Sequence, residues 1–255
     1  MPWNPHTYNQ FKDIRYQPFF DLAGLISPEN LKSCVDVGCG TGEQTAILSG
    51  KFESAKFLGI DSSEEMLRES IRFEKANLHF KLITIEEFVQ SVSKWDLVFS
   101  NAALQWCDNH AELFPKLMAK LNSGGQFAVQ MPFQRENILN NILLETVSEK
   151  PFIDLLEGFI QNSPILRIDD YAKLLFDNGL KDLSISLKVY PIVARSETDL
   201  YDFISGSALI PYMERLDDEG QKLLAAAFMR RIQAYFGSFP SIYPFKRILL
   251  YGVCE

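Results

Sequence analysis

The first half of the chain alternates short, β-rich apolar runs with amphipathic segments, and this alternation restricts the possible folds more than any other feature of the sequence. Five runs are typical of strands, at 34–38, 55–61, 77–83, 95–101 and 125–131. Segments typical of helices lie between them, at 43–50, 63–75 and 110–121. Strands that alternate with helices at this spacing predict right-handed βαβ units and a parallel sheet covered on both faces.

The second half has a different rhythm. Helices are predicted at 135–162, 168–178 and 197–236, with an interruption at Pro211, and strands at 182–190 and 247–253. Together the two halves predict an α/β fold with a Rossmann-like, mostly parallel seven-stranded sheet flanked by helices. The late helices have no strand partners in this pattern, so we interpret them as a helical cover over the carboxyl edge, where ligands of open α/β sheets bind.

This organisation predicts a single domain over 1–255. Its core is expected at about 31–131, with strands at 182–190 and 246–253. The helical cover is expected at about 1–25, 135–178 and 196–240.

Composition and charge narrow the possible partners. The chain has 255 residues and a formal net charge of −8, and its Lys and Arg residues form no cluster, so a nucleic-acid partner is not expected. There is no run of 18 apolar residues and no secretory signal at the start, which favours a cytoplasmic protein without a membrane partner. The four cysteines are scattered, which favours reduced thiols over disulfides or a metal site. We therefore expect a small-molecule substrate and no metal.

A glycine-rich turn follows the first strand. Gly38, Gly40 and Gly42 give the spacing GxGxG, whereas a dinucleotide fingerprint has GxGxxG and binds a pyrophosphate over the next helix N-terminus. Glu43 comes directly after the last glycine, and its carboxylate competes with a phosphate for the positive end of the helix dipole. No GK[ST] follows, so the phosphate-binding lysine of nucleotide hydrolases is missing. The turn therefore predicts close backbone approach to a ligand without phosphates.

Asp61 ends the second strand, 19 residues beyond Gly42. An acid at this position accepts hydrogen bonds from the two hydroxyls of a ribose. These features predict a ligand that contains adenosine, lacks phosphates and tolerates acidic surroundings. S-adenosylmethionine fits this description, because its sulfonium is cationic. A plain glycine turn with an exposed aspartate is the alternative.

In these features the chain resembles the class I S-adenosylmethionine-dependent methyltransferases, most clearly over 31–131. The resemblance implies that the glycine loop contacts the methionine portion and that the acid after strand two binds the ribose. The cofactor-binding residues implied on these two strands and in the block "DSSEEM" are Asp36, Gly38, Gly40, Gly42, Asp61, Ser62 and Met66. Met66 is expected to pack on the adenine or, alternatively, to be an ordinary methionine of a helix core.

One position departs from the family pattern. Many members have an acid after the third strand that binds the adenine amino group, but here the stretch reads "LITIEEF", with Thr84 and Ile85 at that place. Glu86 is one substitute, and a backbone carbonyl with the Thr84 hydroxyl is another. If neither contacts the base, adenine selectivity is weaker. Glu86 and Glu87 otherwise form the solvated start of a helix.

The segment "SNAALQWCDNH" follows the fourth strand. Asn101 and Ala102 are expected to contact the methionine portion, and Gln105, Trp106 and His110 to face the acceptor, with Trp106 as a pocket wall. His110 is the one candidate for a catalytic role. Its alternative role is to cap the helix predicted at 110–121.

The segments "WNPHTYNQF", "SNAALQWCDNHAELFP" and "AVQMP" resemble the trans-aconitate methyltransferases over roughly 1–135. The resemblance implies a carboxylate of a small tricarboxylic acid as acceptor and places Tyr8 and Arg15 near the acceptor or the methionine carboxylate. Helix packing and a surface charge are the alternatives for these two residues.

The second half departs from that family. In "SALIPYM", Ile210 stands where the family has an arginine before Pro-aromatic, and Tyr212 is the aromatic residue expected near the substrate. A tricarboxylate substrate carries three negative charges and needs cationic partners in its pocket. The remaining candidates are Arg195, Arg247 and Lys188, each of which is otherwise a surface residue.

These observations predict an O-methyltransferase acting on a small carboxylic acid. A carboxylate is ionised at neutral pH and needs no general base, so His110 would orient the anion, whereas a hydroxyl or amine acceptor would require it as a base. "SNAALQWC" also resembles the malonyl-carrier-protein methyltransferases of biotin synthesis, which would make a carrier protein the partner. A cofactor-binding module without catalysis is the third hypothesis.

Overall fold

The computed structural model describes the chain from Lys12 onward and its side chains from Tyr16 onward. The strands are β1 Ser33–Val37, β2 Lys56–Asp61, β3 Leu78–Leu82, β4 Trp95–Asn101, β5 Leu121–Pro132, β6 Leu180–Ala194 and β7 Ser241–Cys254. The helices are α1 Lys12–Leu25, α2 Glu43–Lys51, α3 Glu64–Ser70, α4 Ile85–Gln90, α5 His110–Met118, α6 Ile138–Ser148, α7 Phe152–Leu155, α8 Ile168–Asp177, α9 Glu197–Ser205, α10 Ile210–Met213 and α11 Asp218–Phe236.

The strands form one seven-stranded sheet in the order β3-β2-β1-β4-β5-β7-β6. The first five strands pair in parallel: β1 with β2 and β4, β2 with β3, and β4 with β5. β7 pairs antiparallel with β5. The predicted Rossmann-like, mostly parallel sheet is therefore confirmed. From β1, the chain first adds β2 and β3 on one side of the sheet and then β4 and β5 on the other, so the direction of strand addition switches between β1 and β4. Open sheets of this kind bind ligands beside the carboxyl ends of the strands at such a switch point.

Local sequence accounts for the elements around this point. β1 is buried from Cys34 to its end, as expected of a parallel strand that is covered on both faces. α2 begins directly after Gly42, which has a left-handed backbone, and Glu43 in its first turn complements the helix dipole. α4 begins with a capping box between Thr84 and Glu87.

Several predicted boundaries were wrong. The helix predicted at 110–121 ends at Met118, because β5 already pairs with β4 at Leu121. The helical segment predicted at 135–162 is divided into α6 and α7. The interruption predicted at Pro211 is misplaced, because proline is tolerated in the first turn of α10.

The residues separate into two compact units. The sheet unit contains Gln17–Pro132, Pro164–Lys188 and Arg247–Glu255, and the helical unit contains Phe133–Ser163 and Val189–Lys246. Each has its own apolar core, which includes Phe99 in the sheet unit and Phe228 in the helical unit. The predicted single domain and the predicted cover over the sheet edge stay predictions. Among the described helices, none combines the length and the apolar composition needed to cross a membrane.

We predict that Phe99→Ala lowers the free energy of unfolding by about 3–5 kcal/mol, because it opens a cavity in the centre of the sheet. The Phe99 side chain is fully buried and packs edge-on against Phe19, with ring centroids 5.9 Å apart. Urea unfolding measures the change. The matched control is Phe176→Ala in α8, where the ring is 71% exposed, and this change should be nearly neutral. Equal losses in the two variants would contradict the assignment of the core.

Candidate active site

Three glycines with left-handed backbones form the turn between β1 and α2. Gly38, Gly40 and Gly42 have φ values of +77°, +55° and +76°, which glycine adopts without steric cost. A Cβ on Gly38 would lie 2.2 Å from the Cβ of Ala103, and one on Gly42 would lie 2.6 Å from the Phe80 ring. A Cβ on Gly40 would meet nothing within 4 Å. The outer glycines therefore allow close packing, and the middle one leaves space in which a ligand can approach the backbone.

The carboxylate of Asp61 closes this turn. Its Oδ2 accepts the backbone N–H of Gly40 at 2.9 Å, and its Oδ1 accepts that of Ser63, also at 2.9 Å. A carboxylate offers about four lone-pair sites, so two backbone bonds leave acceptor capacity for further donors. The arrangement fits the two hydroxyls of a ribose beside an open backbone, as expected of the cofactor.

Asp36 lies in β1, two residues before Gly38. Its side chain is buried, and its Oδ2 accepts the Thr45 hydroxyl at 2.6 Å. Its Oδ1 is also buried and has no hydrogen-bond partner among the described residues. Burial raises the pKa of Asp36 to about 7, against the opposing effect of the Thr45 bond and with a smaller contribution from the charge of Asp61. The predicted direct contact with the cofactor stays a prediction, and the Thr45 bond favours a role in joining β1 to α2.

The residues predicted on the adenine side lie near the surface. Ser62 is exposed, and the Met66 side chain is 48% exposed, so Met66 is not a core methionine of its helix. The Thr84 hydroxyl accepts the N–H of Glu87, and the Thr84 N–H donates to the Glu87 carboxylate. Ile85 is half-buried in the first turn of α4. Thr84 thus starts the helix, and its contact with adenine stays a prediction.

The charge of Glu86 reaches the segment after β4. Burial raises the pKa of the Cys107 thiol to about 11, and the charges of Glu86 and Asp108 add to this effect. Glu86 is exposed in the first turn of α4. An exposed carboxylate at this position remains a candidate for the acid that the third strand lacks.

Asn101, the last residue of β4, and Ala102, which follows it, are both held by hydrogen bonds to β5. Asn101 donates through Nδ2 to Gln44 at 2.6 Å and accepts a bond from the Gln130 amide. Ala102 has a φ of +56°, which is unusual for a residue with a Cβ, and its N–H donates to the Gln130 carbonyl at 2.9 Å. Left-handed non-glycine residues are often found where a site constrains the backbone. The sequence did not single out Gln44 or Gln130, although a glutamine inside the apolar strand β5 is an available signal.

Gln105 and Trp106 differ in exposure. Gln105 is buried, and its Nε2 donates to the Ala102 carbonyl at 2.6 Å, which stabilises the turn after β4. The Trp106 side chain is 47% exposed. Trp106 is therefore accessible as a pocket wall, whereas Gln105 supports the backbone beside it.

Both ring nitrogens of His110 are engaged. Nε2 lies 2.9 Å from the Leu104 carbonyl and Nδ1 lies 2.5 Å from the Tyr171 hydroxyl. The ring is buried and packs against Phe114, with centroids 5.1 Å apart. Burial lowers the pKa of His110, against the opposing effect of its hydrogen bonds, so the neutral form donates to Leu104 and accepts from Tyr171. These contacts favour a structural role, in which His110 joins α5 to α8, over proton transfer.

The other predicted substrate residues are distributed as follows. Tyr8 and the side chain of Arg15 lie outside the described residues. Tyr212 is buried in the core of the helical unit, where its hydroxyl accepts the Gln161 N–H at 3.0 Å. Lys188 forms an ion pair with Asp21 at 2.6 Å. The predicted contact of Tyr212 with the substrate stays a prediction.

Known proteins resemble the chain over nearly its whole length. A methyltransferase-domain family model matches residues 34–125. A protein from Deinococcus radiodurans named trans-aconitate 2-methyltransferase is 38% identical over 98% of this chain and 97% of its own length. A protein of the same name from Escherichia coli is 30% identical over 92% of this chain and 90% of its own length.

Two solved structures share the fold at low sequence identity. The YcgJ protein of Bacillus subtilis has a TM-score of 0.60 and 15% identity over 94% of this chain and 99% of its own. A plantazolicin methyltransferase in complex with S-adenosylhomocysteine has a TM-score of 0.51 and 14% identity over 98% of this chain and 86% of its own. At these identities the likeness supports the sheet topology.

We predict that Gly40→Ala weakens binding of S-adenosylhomocysteine at least tenfold, because the methyl group occupies the open space at the turn. The left-handed backbone should also cost about 1–2 kcal/mol of stability. Gly124→Ala is the matched control, since Gly124 has a φ of +74° and a Cβ there also meets nothing within 4 Å, but it lies near the amino end of β5, away from the carboxyl edge. Scanning calorimetry should show similar losses of stability in the two variants. Titration calorimetry should show weaker binding of S-adenosylhomocysteine in Gly40→Ala alone. Unchanged affinity in Gly40→Ala would remove the turn from the binding site.

We predict that Asp36→Asn changes the pH dependence of stability. Because the pKa of Asp36 is raised in the folded state to about 7, the folded protein holds this proton more tightly than the unfolded chain. The wild-type free energy of unfolding should therefore fall relative to that of Asp36→Asn as pH rises from 4 to 7. Urea unfolding of both proteins at pH 5 and pH 8 measures the difference. A wild-type protein that gains stability relative to the variant over this range would show that the carboxylate is ionised in the fold.

Proposed function

Because this chain belongs to the family of class I S-adenosylmethionine-dependent methyltransferases that includes the trans-aconitate 2-methyltransferases, we propose that it transfers a methyl group to a carboxylate oxygen of a small organic acid. The cofactor of the family is S-adenosylmethionine. The observation that carries the proposal is the identity of 38% with a relative of that name over 98% of the chain. The proposed acceptor class is trans-aconitate and related polycarboxylates.

The sheet unit has residues that suit each part of the cofactor. The open backbone at Gly40 would bind beside the methionine portion, and Asp61 would accept the ribose hydroxyls. The exposed Met66 side chain would pack on the adenine. When bound, the cofactor supplies the methyl group on a cationic sulfur, and the Asp61 carboxylate beside the turn suits that charge.

A carboxylate acceptor accounts for the state of His110. Small carboxylic acids have pKa values near 4 and are ionised at neutral pH, so methylation needs no general base. His110 has both ring nitrogens in hydrogen bonds within the protein. The chain therefore contributes alignment of the acceptor and exclusion of water, for which Trp106 is an exposed aromatic residue in the segment after β4.

We predict that the purified protein transfers labelled methyl groups to trans-aconitate in preference to cis-aconitate, simple monoacids and malonyl thioesters. The product should release its label in mild alkali, because a methyl ester hydrolyses there and a methylated amine does not. The kcat should change less than twofold between pH 7.5 and 8.5, above the pKa of Asp36, since neither the acceptor nor a catalytic base titrates in that range.

Two results would contradict the proposal. Transfer to a malonyl thioester alone would identify a carrier-bound acceptor instead. An alkali-stable product, or a kcat that rises tenfold per pH unit, would indicate an amine or hydroxyl acceptor that needs a base.

A further inference from the structure

A row of hydrogen-bonded side chains lies along the carboxyl edge of the sheet. The Arg247 Nη1 donates to the Gln130 Oε1 at 2.8 Å, and the Gln130 Nε2 donates to the Asn101 Oδ1. The Asn101 Nδ2 then donates to the Gln44 Oε1 at 2.6 Å. We name these four residues the edge row. Each bond is accepted by the side-chain oxygen of the next amide, so the orientation of each amide group is fixed.

Strand pairing explains why the row forms. Asn101 and Gln130 are directly opposite each other on β4 and β5. β7 runs antiparallel to β5, so its start lies at the edge where β4 and β5 end, and Arg247 is opposite Pro132. Gln130 is opposite Leu249 and Arg247 lies two residues earlier on the same face of β7, so the guanidinium reaches diagonally to Gln130.

Charge changes sign along this edge. The Asp61 carboxylate ends β2, the neutral amides of Asn101 and Gln130 lie on β4 and β5, and the Arg247 guanidinium lies on β7. This is also the spatial order of the strands. A cationic donor is favoured at the acidic end and an anion at the guanidinium end, because each then lies nearest the opposite charge.

We propose that Arg247 binds a carboxylate of the acceptor that is not methylated, and that Gln130 is a positioning residue that fixes the plane of the guanidinium. The inference rests on the proposed function and names the residue that selects for a polyacid. Arginine suits this role because its planar fork matches the two oxygens of a carboxylate. Gln130 is fully buried and contacts Arg247 and Asn101, so it acts through its neighbours.

The test measures binding of trans-aconitate to the protein saturated with S-adenosylhomocysteine, which cannot react, by calorimetry. We expect Arg247→Gln to weaken this binding about 10–100-fold, as loss of a charge-assisted hydrogen bond implies. Binding of S-adenosylhomocysteine itself should change less than threefold. Arg230→Gln is the matched control, since it removes the same charge at an exposed site in α11 of the helical unit and should change neither affinity.

Three diacids locate the carboxylate that Arg247 binds. Itaconate, glutaconate and mesaconate each lack a different carboxylate of trans-aconitate. Arg247→Gln should weaken two of them strongly and the third less than threefold, because the third lacks the group that Arg247 binds. An equal loss for all three diacids would indicate a general loss of charge or structure and would overturn the proposal.

Gln130→Met tests the positioning role at nearly constant side-chain volume. We expect it to weaken trans-aconitate binding about fivefold on its own and to add nothing in the double variant with Arg247→Gln. Full additivity would contradict positioning. Arg247→Lys keeps the charge without the planar fork, and it should restore part of the affinity even if Arg247→Gln folds poorly.

The outcomes separate this inference from the proposed function. A wild-type protein that neither binds nor methylates any of these acids would reject the proposed function itself. A wild-type protein that binds and methylates trans-aconitate, with Arg247→Gln binding it equally well, would reject the role of Arg247 alone.

Discussion

The ligand edge of the sheet depends on how β2 holds the glycine turn that follows β1. A turn of left-handed glycines has backbone N–H groups that neither a helix nor a strand satisfies, and unsatisfied buried N–H groups are costly. The Ile60 carbonyl accepts the N–H groups of Gly38 and Cys39, and the Asp61 carboxylate accepts that of Gly40. All three bonds come from the end of β2. The shape of the turn is therefore fixed by the pairing of β1 with β2, before any ligand is present.

This dependence explains a further glycine that no ligand motif requires. Gly59 lies in β2, where an added Cβ would be 2.5 Å from the Phe80 ring and 3.0 Å from the Cys39 sulfur. The same ring would clash with a Cβ on Gly42. Phe80 thus packs into space that both glycines leave, and it connects β3 to the turn. The spacing of the glycines reflects packing behind the turn as much as approach of a ligand in front of it.

The sequence predicted those parts of the molecule that depend on neighbours along the chain. Alternating runs identified the strands of the sheet, and the glycines with Asp61 identified the turn, because both signals lie within short segments. The helix start at Thr84 also has a local signature, Thr followed three residues later by Glu. Element ends were less predictable, since the end of α5 depends on where β5 begins to pair with β4.

Partners that are distant in the sequence were not predictable. His110 contacts the hydroxyl of Tyr171, 61 residues away, and this bond favours a structural role for its ring. Arg247 and Gln130 are 117 residues apart, and they meet only because β7 inserts beside β5 in the antiparallel direction. From the sequence alone Arg247 was one of three candidate cations. The strand order is what places it at the edge with Asn101.

The chemistry of ester formation limits which carboxylate Arg247 can bind. A guanidinium bound to the attacking oxygens would draw electron density from them and slow the displacement. A guanidinium bound to another carboxylate of the same molecule leaves the nucleophile unaffected and still orients it, which is the useful arrangement for a reaction that depends on alignment. The position of Arg247 supports this assignment, because three neutral amides, those of Gln130, Asn101 and Gln44, lie in the row between it and the glycine turn. The edge row would then hold the unreactive end of a polyacid away from the donor, so that a monoacid, which lacks that end, loses orientation as well as affinity.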